Sequence, residues 1–239
     1  MLLFPAIDLY DRKVVRLVKG DYSRMTVYSE DPAGTAREIE SKGCEWLHLV
    51  DLQGAKDGSA ANFSAVQDIC RETKLKVEIG GGIRSMETID RYLSAGAARV
   101  ILGTKAVTDE AFLREALERF GSQIAVGVDA KDGRVCVKGW LEVLDVDMFD
   151  FLRKLCEMGV GTAIVTDIAK DGAMQGTNLL LYERLSGLKG IQITASGGIS
   201  SYDDLRRLKE MNLYGAILGK AMYTGAVELE KAIAIVKER

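Results

Sequence analysis

Short apolar runs alternate with longer segments of helical period from one end of the chain to the other. Runs at Leu2–Ile7, Trp46–Val50, Lys76–Ile79, Arg99–Leu102, Ile124–Val128, Thr162–Thr166, Gln192–Ala195 and Gly215–Leu218 read as strands. Between them, segments near Gly34–Lys42, Phe63–Glu72, Met86–Ala95, Ala111–Phe120, Asp147–Glu157, Leu179–Leu185, Tyr202–Met211 and Val227–Lys237 read as helices. Their apolar residues fall at i, i+3 and i+4, as in Phe149, Leu152, Leu155 and Cys156. Strands that are apolar throughout imply a parallel sheet buried on both faces. Eight such units in 239 residues fit a closed α/β barrel, with an open doubly wound sheet as the competitor. Two β-rich inserts, Lys13–Val18 and Arg134–Lys138, each close on Lys-Gly. They read as hairpin-like extensions in the loops after the first and fifth strands.

The chain also repeats itself. Gly81-Gly82-Ile83 recurs as Gly197-Gly198-Ile199, and Ile101-Leu102-Gly103 as Ile217-Leu218-Gly219, both at an offset of 116. Asp51 maps onto Asp167 at the same offset, Asp8 onto Asp129 at 121, and Lys19-Gly20 onto Lys138-Gly139 at 119. Several matches in one order make coincidence a poor explanation. The expected fold is therefore a single (β/α)8 TIM barrel, one domain over residues 1–239, built from two fused half-barrels with pseudo-twofold symmetry.

Every repeated element falls at the C-terminal end of a predicted strand, the catalytic face of such barrels. Gly80-Gly81-Gly82 and Gly103-Thr104 in one half match Gly197-Gly198 and Gly219-Lys220 in the other. Glycine lets bare backbone N–H groups approach a phosphate closely. Two phosphate sites on opposite sides of the mouth are expected, with Lys220 adding charge at one and Arg84 beside the other. Asp8 and Asp129 each follow an apolar strand and face one another across the axis, which suits general acid–base chemistry. For Asp51 and Asp167, structural and functional roles stay open. Thr166 and Asp171, in the polar segment Thr166–Gly172, are placed to orient a carboxylate and to bind substrate hydroxyls. Trp140 lies outside any apolar period on a loop, where an indole can stack on a planar ring. Trp46 reads as core, and His48, the only histidine, as part of a packed layer.

A net charge of −3 gives no basic field for nucleic acid. The four scattered cysteines form no C-x-x-C pair, so no metal site is expected and the thiols are expected to be reduced. There is no run of 18 apolar residues and no signal-like N-terminus, so a cytoplasmic protein without membrane association is expected.

Pro5-Ala6-Ile7-Asp8-Leu9, Val15-Arg16-Leu17, Val50-Asp51-Leu52 with Gly54-Ala55, Ile79-Gly80-Gly81-Gly82-Ile83-Arg84, Thr166-Asp167 with Lys170-Asp171-Gly172, and Ala195-Ser196-Gly197-Gly198-Ile199 carry a resemblance. From Met1 to about Gly225 the chain resembles the phosphoribosylformimino-aminoimidazole carboxamide ribotide isomerases of histidine biosynthesis. The resemblance implies a cofactor-free Amadori rearrangement of an aminoaldose to an aminoketose, on a small substrate carrying a phosphate at each end. It implies Asp8 as the base at ribose C2 and Asp129 as the acid at the ring oxygen, with Thr166 beside it. Arg16, Arg84, Trp140 and Asp171 match substrate contacts, and Gly82, Gly103, Thr104, Gly198, Gly219 and Lys220 match the phosphate loops. A monomer is expected. Arg12 and Gln53 depart from the family's usual residues. A related rival, the cyclase subunit of imidazole glycerol phosphate synthase, typically begins with Cys-Leu-Asp where this chain has Ala6-Ile7-Asp8. A broader isomerase that also takes phosphoribosyl anthranilate is a further alternative.

Overall fold

A computed structural model describes residues 1–18 and 20–238. Eight parallel strands close into a barrel: β1 (Leu2–Tyr10), β4 (Trp46–Asp51), β5 (Lys76–Gly80), β6 (Arg99–Leu102), β7 (Ile124–Lys131), β10 (Thr162–Asp167), β11 (Gln192–Ser196) and β12 (Gly215–Leu218). Pairing of β12 with β1 and of β7 with β10 completes the ring, so β1 and β7 stand diametrically opposite. The strands are apolar on both faces because both are covered. Leu47, Leu49, Val77, Ile79, Val126 and Val128 belong to the core beneath the helices. Phe4, Ala6, Ile101, Ala125, Ile164 and Ile217 form a separate cluster inside the barrel.

The helices that follow are α1 (Pro32–Ser41), α2 (Leu52–Asp57), α3 (Phe63–Glu72), α4 (Met86–Ser94), α5 (Thr104–Thr108), α6 (Glu110–Phe120), α7 (Met148–Glu157), α8 (Leu179–Ser186), α9 (Tyr202–Glu210), α10 (Lys220–Tyr223) and α11 (Leu229–Lys237). Their starts are written in the sequence. Ser85 accepts from the Thr88 N–H to cap α4, and its repeat mate Ser201 caps α9 in a capping box with Asp204. The short α2, α5 and α10 carry too few residues to show a helical period, which is why pattern reading passes over them.

The inserts are full hairpins: β2 (Lys13–Val18) with β3 (Asp21–Ser29), and β8 (Arg134–Val137) with β9 (Glu142–Asp147). Sequence reading missed β3, which is largely exposed, and β9, which alternates between exposed and half-buried residues. Because β2 and β8 pair antiparallel with β1 and β7, those barrel strands run on to Tyr10 and Lys131. Asp8 and Asp129 therefore lie within strands, not just beyond their ends as the apolar runs imply.

The repeat is as clear in the backbone as in the sequence. Gly103 and Gly219 have φ/ψ of −100°/−111° and −103°/−111°. Gly81 and Gly82 have φ of 108° and 70°, against 95° and 83° for Gly197 and Gly198. The Lys19-Gly20 match to Lys138-Gly139 involves Lys19, which lies outside the described residues; Gly20 and Gly139 share positive φ, 72° and 64°. Arg12 stands at φ +58°, opposite Gly133 at +79° in the other half, which explains why glycine suits that position.

Two buried tyrosines, on α4 and α8, differ in how their hydroxyls are satisfied. The single Tyr182 hydroxyl hydrogen faces the Ser196 carbonyl at 2.6 Å and the Val165 carbonyl at 3.0 Å, and the oxygen accepts from the Ser196 N–H at 3.1 Å, bracing β10 against β11. The Tyr92 hydroxyl is equally buried and has no partner among the described residues. Tyr92→Phe is expected to leave thermal stability unchanged or raised, whereas Tyr182→Phe costs about 1–2 kcal/mol. Chemical denaturation of both variants checks this; a destabilised Tyr92→Phe protein would contradict it.

Candidate active site

A cavity of about 270 Å³ opens at the C-terminal face, its wall made from the ends of all eight barrel strands and from both hairpins. Each sequence-predicted site residue lines it: Asp8, Arg16, Gly82, Arg84, Gly103, Thr104, Asp129, Trp140, Thr166, Asp171, Gly198, Gly219 and Lys220. His48 lines it too. Asp51 and Asp167 do not, and their role is structural. Asp51 is fully buried and accepts from the Gly54 N–H at 2.8 Å and from the Asn62 backbone and side chain at 3.0 and 2.7 Å. Asp167 accepts from Ala169 and from Asn178, the repeat mate of Asn62. Gln53 accepts from the Asp11 N–H at 3.0 Å and so holds the β1–β2 turn.

The glycine loops serve two needs. A Cβ on Gly82 would lie 1.8 Å from the Gly54 carbonyl oxygen, and one on Gly81 would lie 2.2 Å from that of Asp51. Two backbone segments cross there with no room between them. Gly103 is different, since its missing Cβ would meet nothing within 4 Å and the backbone is bare toward the cavity. The short helices α5 and α10 begin directly after Gly103 and Gly219, and their first N–H groups have no acceptor within the helix. Such groups bind anions well. Arg16 reaches over Gly219, where a Cβ would come within 2.3 Å of its guanidinium. Thr104 and Lys220 also brace neighbouring loops, Thr104 accepting from the Lys138 N–H at 2.9 Å and Lys220 donating to the Gly172 carbonyl at 3.1 Å.

The carboxylates sit in unlike surroundings. Asp8 pairs with Arg16 at 2.9 Å, both nearly buried, and the guanidinium Nε has no protein partner among the described residues. Burial pushes the Asp8 carboxyl above its ordinary value; Arg16 opposes this and Asp171 adds to it. Burial likewise raises Asp129, opposed by polar hydrogens of Trp140 and Thr166 and reinforced by Asp171. Thr166 is the register partner of Asp129 on the next strand. Trp140, at φ +73°, is folded inward with its ring against Gly20, leaving Leu141 at the hairpin tip 89% exposed. Asp171 thus acts on both carboxylates, a coupling that its loop position gave no means of anticipating. Among the described residues, no group of His, Cys, Asp and Glu is gathered as a metal cluster, and no helix is long and apolar enough to cross a membrane.

An eight-stranded barrel with paired acids and twinned glycine loops at its C-terminal face has the layout of a (β/α)8-barrel enzyme. The family model described as "Histidine biosynthesis protein" matches residues 2–228, and the chain belongs to that family. A protein of Clostridium beijerinckii is 48% identical over 238 residues, covering 100% of this chain and 99% of its own. One from Oceanobacillus iheyensis is 45% identical, covering 96% of each. One from Ruegeria sp. is 47% identical, covering 99% of this chain and 100% of its own. The first two are named 1-(5-phosphoribosyl)-5-((5-phosphoribosylamino)methylideneamino) imidazole-4-carboxamide isomerase, and the third is named the second isomerase of that title. This chain is accordingly an enzyme of the isomerase class.

Proposed function

We propose that the chain converts the bisphosphorylated aminoaldose of its relatives' name to the aminoketose by acid–base catalysis with carboxylates alone. The observation that carries this reading is the placement of Asp8 and Asp129 on opposite strands, between two glycine loops of matching backbone. A substrate with a phosphate at each end, spanning the mouth between Gly82–Gly103 and Gly198–Gly219, brings its central sugar over the carboxylates. Protonation of the furanose oxygen breaks its bond to C1 and leaves an iminium there. Asp8, as carboxylate, then removes the C2 proton to give an aminoenol. Protonation at C1 and loss of the hydroxyl proton complete the aminoketose. Arg16 opposes the burial that raises Asp8 and lays its guanidinium over Gly219, beside one phosphate loop, while Arg84 and Trp140 close the sides.

Asp129 is the first choice for the acid, because burial raises it with no cation paired against it among the described residues. Asp8, also raised by burial, has Arg16 at 2.9 Å to favour its anion. A second reading has one observation in its favour: hydrogens from Trp140 and Thr166 stabilise the anion of Asp129, which works against an acid, and Asp171 faces the same space without them. Asp129→Asn and Asp171→Asn, assayed across pH, separate the two. An acid must be protonated, so wild-type kcat falls as pH rises and the acid loses its proton; for Asp129 burial moves that limb upward. The variant lacking the acid loses that limb together with about 10²–10⁴ of the rate. Wild-type turnover in both variants would refute carboxylate acid catalysis. In the folded protein a raised carboxyl pKa costs stability above that pKa, and the cost is relieved as pH falls through it. Asp129→Asn is therefore expected to melt no lower than wild type near neutral pH.

A further inference from the structure

Beneath the two carboxylates a row of charged and polar groups crosses the barrel interior on one side only. His48, Glu78 and Arg99 are register partners on β4, β5 and β6, so all three face inward. Glu78 is fully buried and uses both oxygens: Oε1 lies 2.7 Å from His48 Nδ1, and Oε2 accepts from Arg99 Nε at 3.0 Å and from Nη2. Arg99 continues to Thr162 Oγ1 at 3.1 Å and stacks over Trp46 at 4.8 Å, which anchors the far end of the row. Burial alone would raise Glu78; its bonds to His48 and Arg99 reverse that and hold it below the ordinary carboxylate value. An ionised carboxylate only accepts, so Nδ1 of His48 must be the donor. That leaves Nε2, which has no hydrogen-bond partner among the described residues, on a ring that lines the cavity. His48 pairs with Ala6 where Asp8 pairs with Val50, which sets the imidazole one inward-facing layer below Asp8.

The other half has nothing of the kind. At the offset of 116, Ile164, Thr194 and Gly215 occupy the equivalent places in the same register. Thr194 Oγ1 is buried there without a partner among the described residues. The barrel does not need the charged row in order to close, since its second half closes without it. A ligand with a phosphate at each end meets two closely similar glycine loops, and the row makes the floor between them unequal.

We propose that Glu78 is a positioning residue, fixing His48 as the Nδ1–H tautomer so that Nε2 accepts a hydrogen bond from a sugar hydroxyl and sets which way round the ligand lies. This rests on the reading of the cavity as a phosphosugar site. Because the chain has one histidine, nitrogen-15 imidazole NMR gives a single unambiguous signal pair. The expected wild-type spectrum shows Nδ1 protonated and Nε2 bare, with Nε2 shifting on titration with ribose 5-phosphate while Nδ1 stays put. Glu78→Gln is expected to populate the Nε2–H form and to lower kcat/KM by about tenfold, the worth of one oriented hydrogen bond. Added to His48→Asn, the same change is expected to do no further kinetic harm, because Glu78 acts through the ring. A wild-type ring protonated at Nε2, whether as that tautomer or as the imidazolium, an Nε2 signal indifferent to the sugar phosphate, or additive losses in the double variant would each overturn the proposal. Should Glu78→Gln fail to fold, the wild-type spectrum and titration still decide the matter. Absence of aminoaldose turnover in wild type would instead refute the isomerase reading and leave those two measurements standing.

Discussion

Asp8→Asn is expected to lower turnover of the aminoaldose by about 10³-fold, within the range typical of a lost general base. The amide keeps the shape of the side chain and cannot take a proton from carbon. Because Asp8 sits inside β1, paired with Val15 on one side and Val50 on the other, the backbone around the substitution is held by both neighbours. The loss is therefore expected in kcat, with circular dichroism unchanged. Arg16 loses its ionic partner, so some drop in melting temperature accompanies the change. Turnover near wild type would remove Asp8 from the mechanism; a collapsed fold would show that its main task is to neutralise Arg16.

Gly82→Ala is the substitution with the largest expected effect on stability, at about 3 kcal/mol or more. Two costs combine. The residue is at φ +70°, and its new methyl would have to occupy space 1.8 Å from the Gly54 carbonyl oxygen, a backbone atom that cannot swing away. At the repeat mate Gly198 the same methyl would come to 2.6 Å from the Gly176 carbonyl oxygen, at φ +83°. The expected order of melting temperatures is wild type, then Gly198→Ala, then Gly82→Ala. Differential scanning calorimetry checks it, and equal melting temperatures for the two variants would show that the crossing over α2 relaxes freely.

Most of the barrel is legible in the sequence because its strands are buried on both faces and its helices on one. The two patterns therefore differ sharply in period. Asp8, Asp129 and the glycine loops were found by the repeat, since their equivalence survives in residue identity. Less survives where equivalence is kept by backbone alone. Strands β3 and β9 escaped notice because one side of each hairpin faces solvent and carries no apolar run. The capping work of Asp51 is indistinguishable from catalysis in sequence, since both place a carboxylate after a strand. The bond between His48 and Glu78 joins residues thirty positions apart, and only the β4–β5 register brings them together. The inward fold of Trp140 depends on a left-handed backbone at a bulky residue, which no composition signals.

The left-handed positions carry a wider implication. Gly58 is matched by Met174, Gly96 by Asn212 and Gly133 by Arg12, each pair sharing positive φ although only one member is glycine. The path of the chain is the same where the residues differ. Each half thus carries a second reading of the same local path, and an engineer seeking a tolerated residue at a strained site in one copy has a natural precedent in its twin.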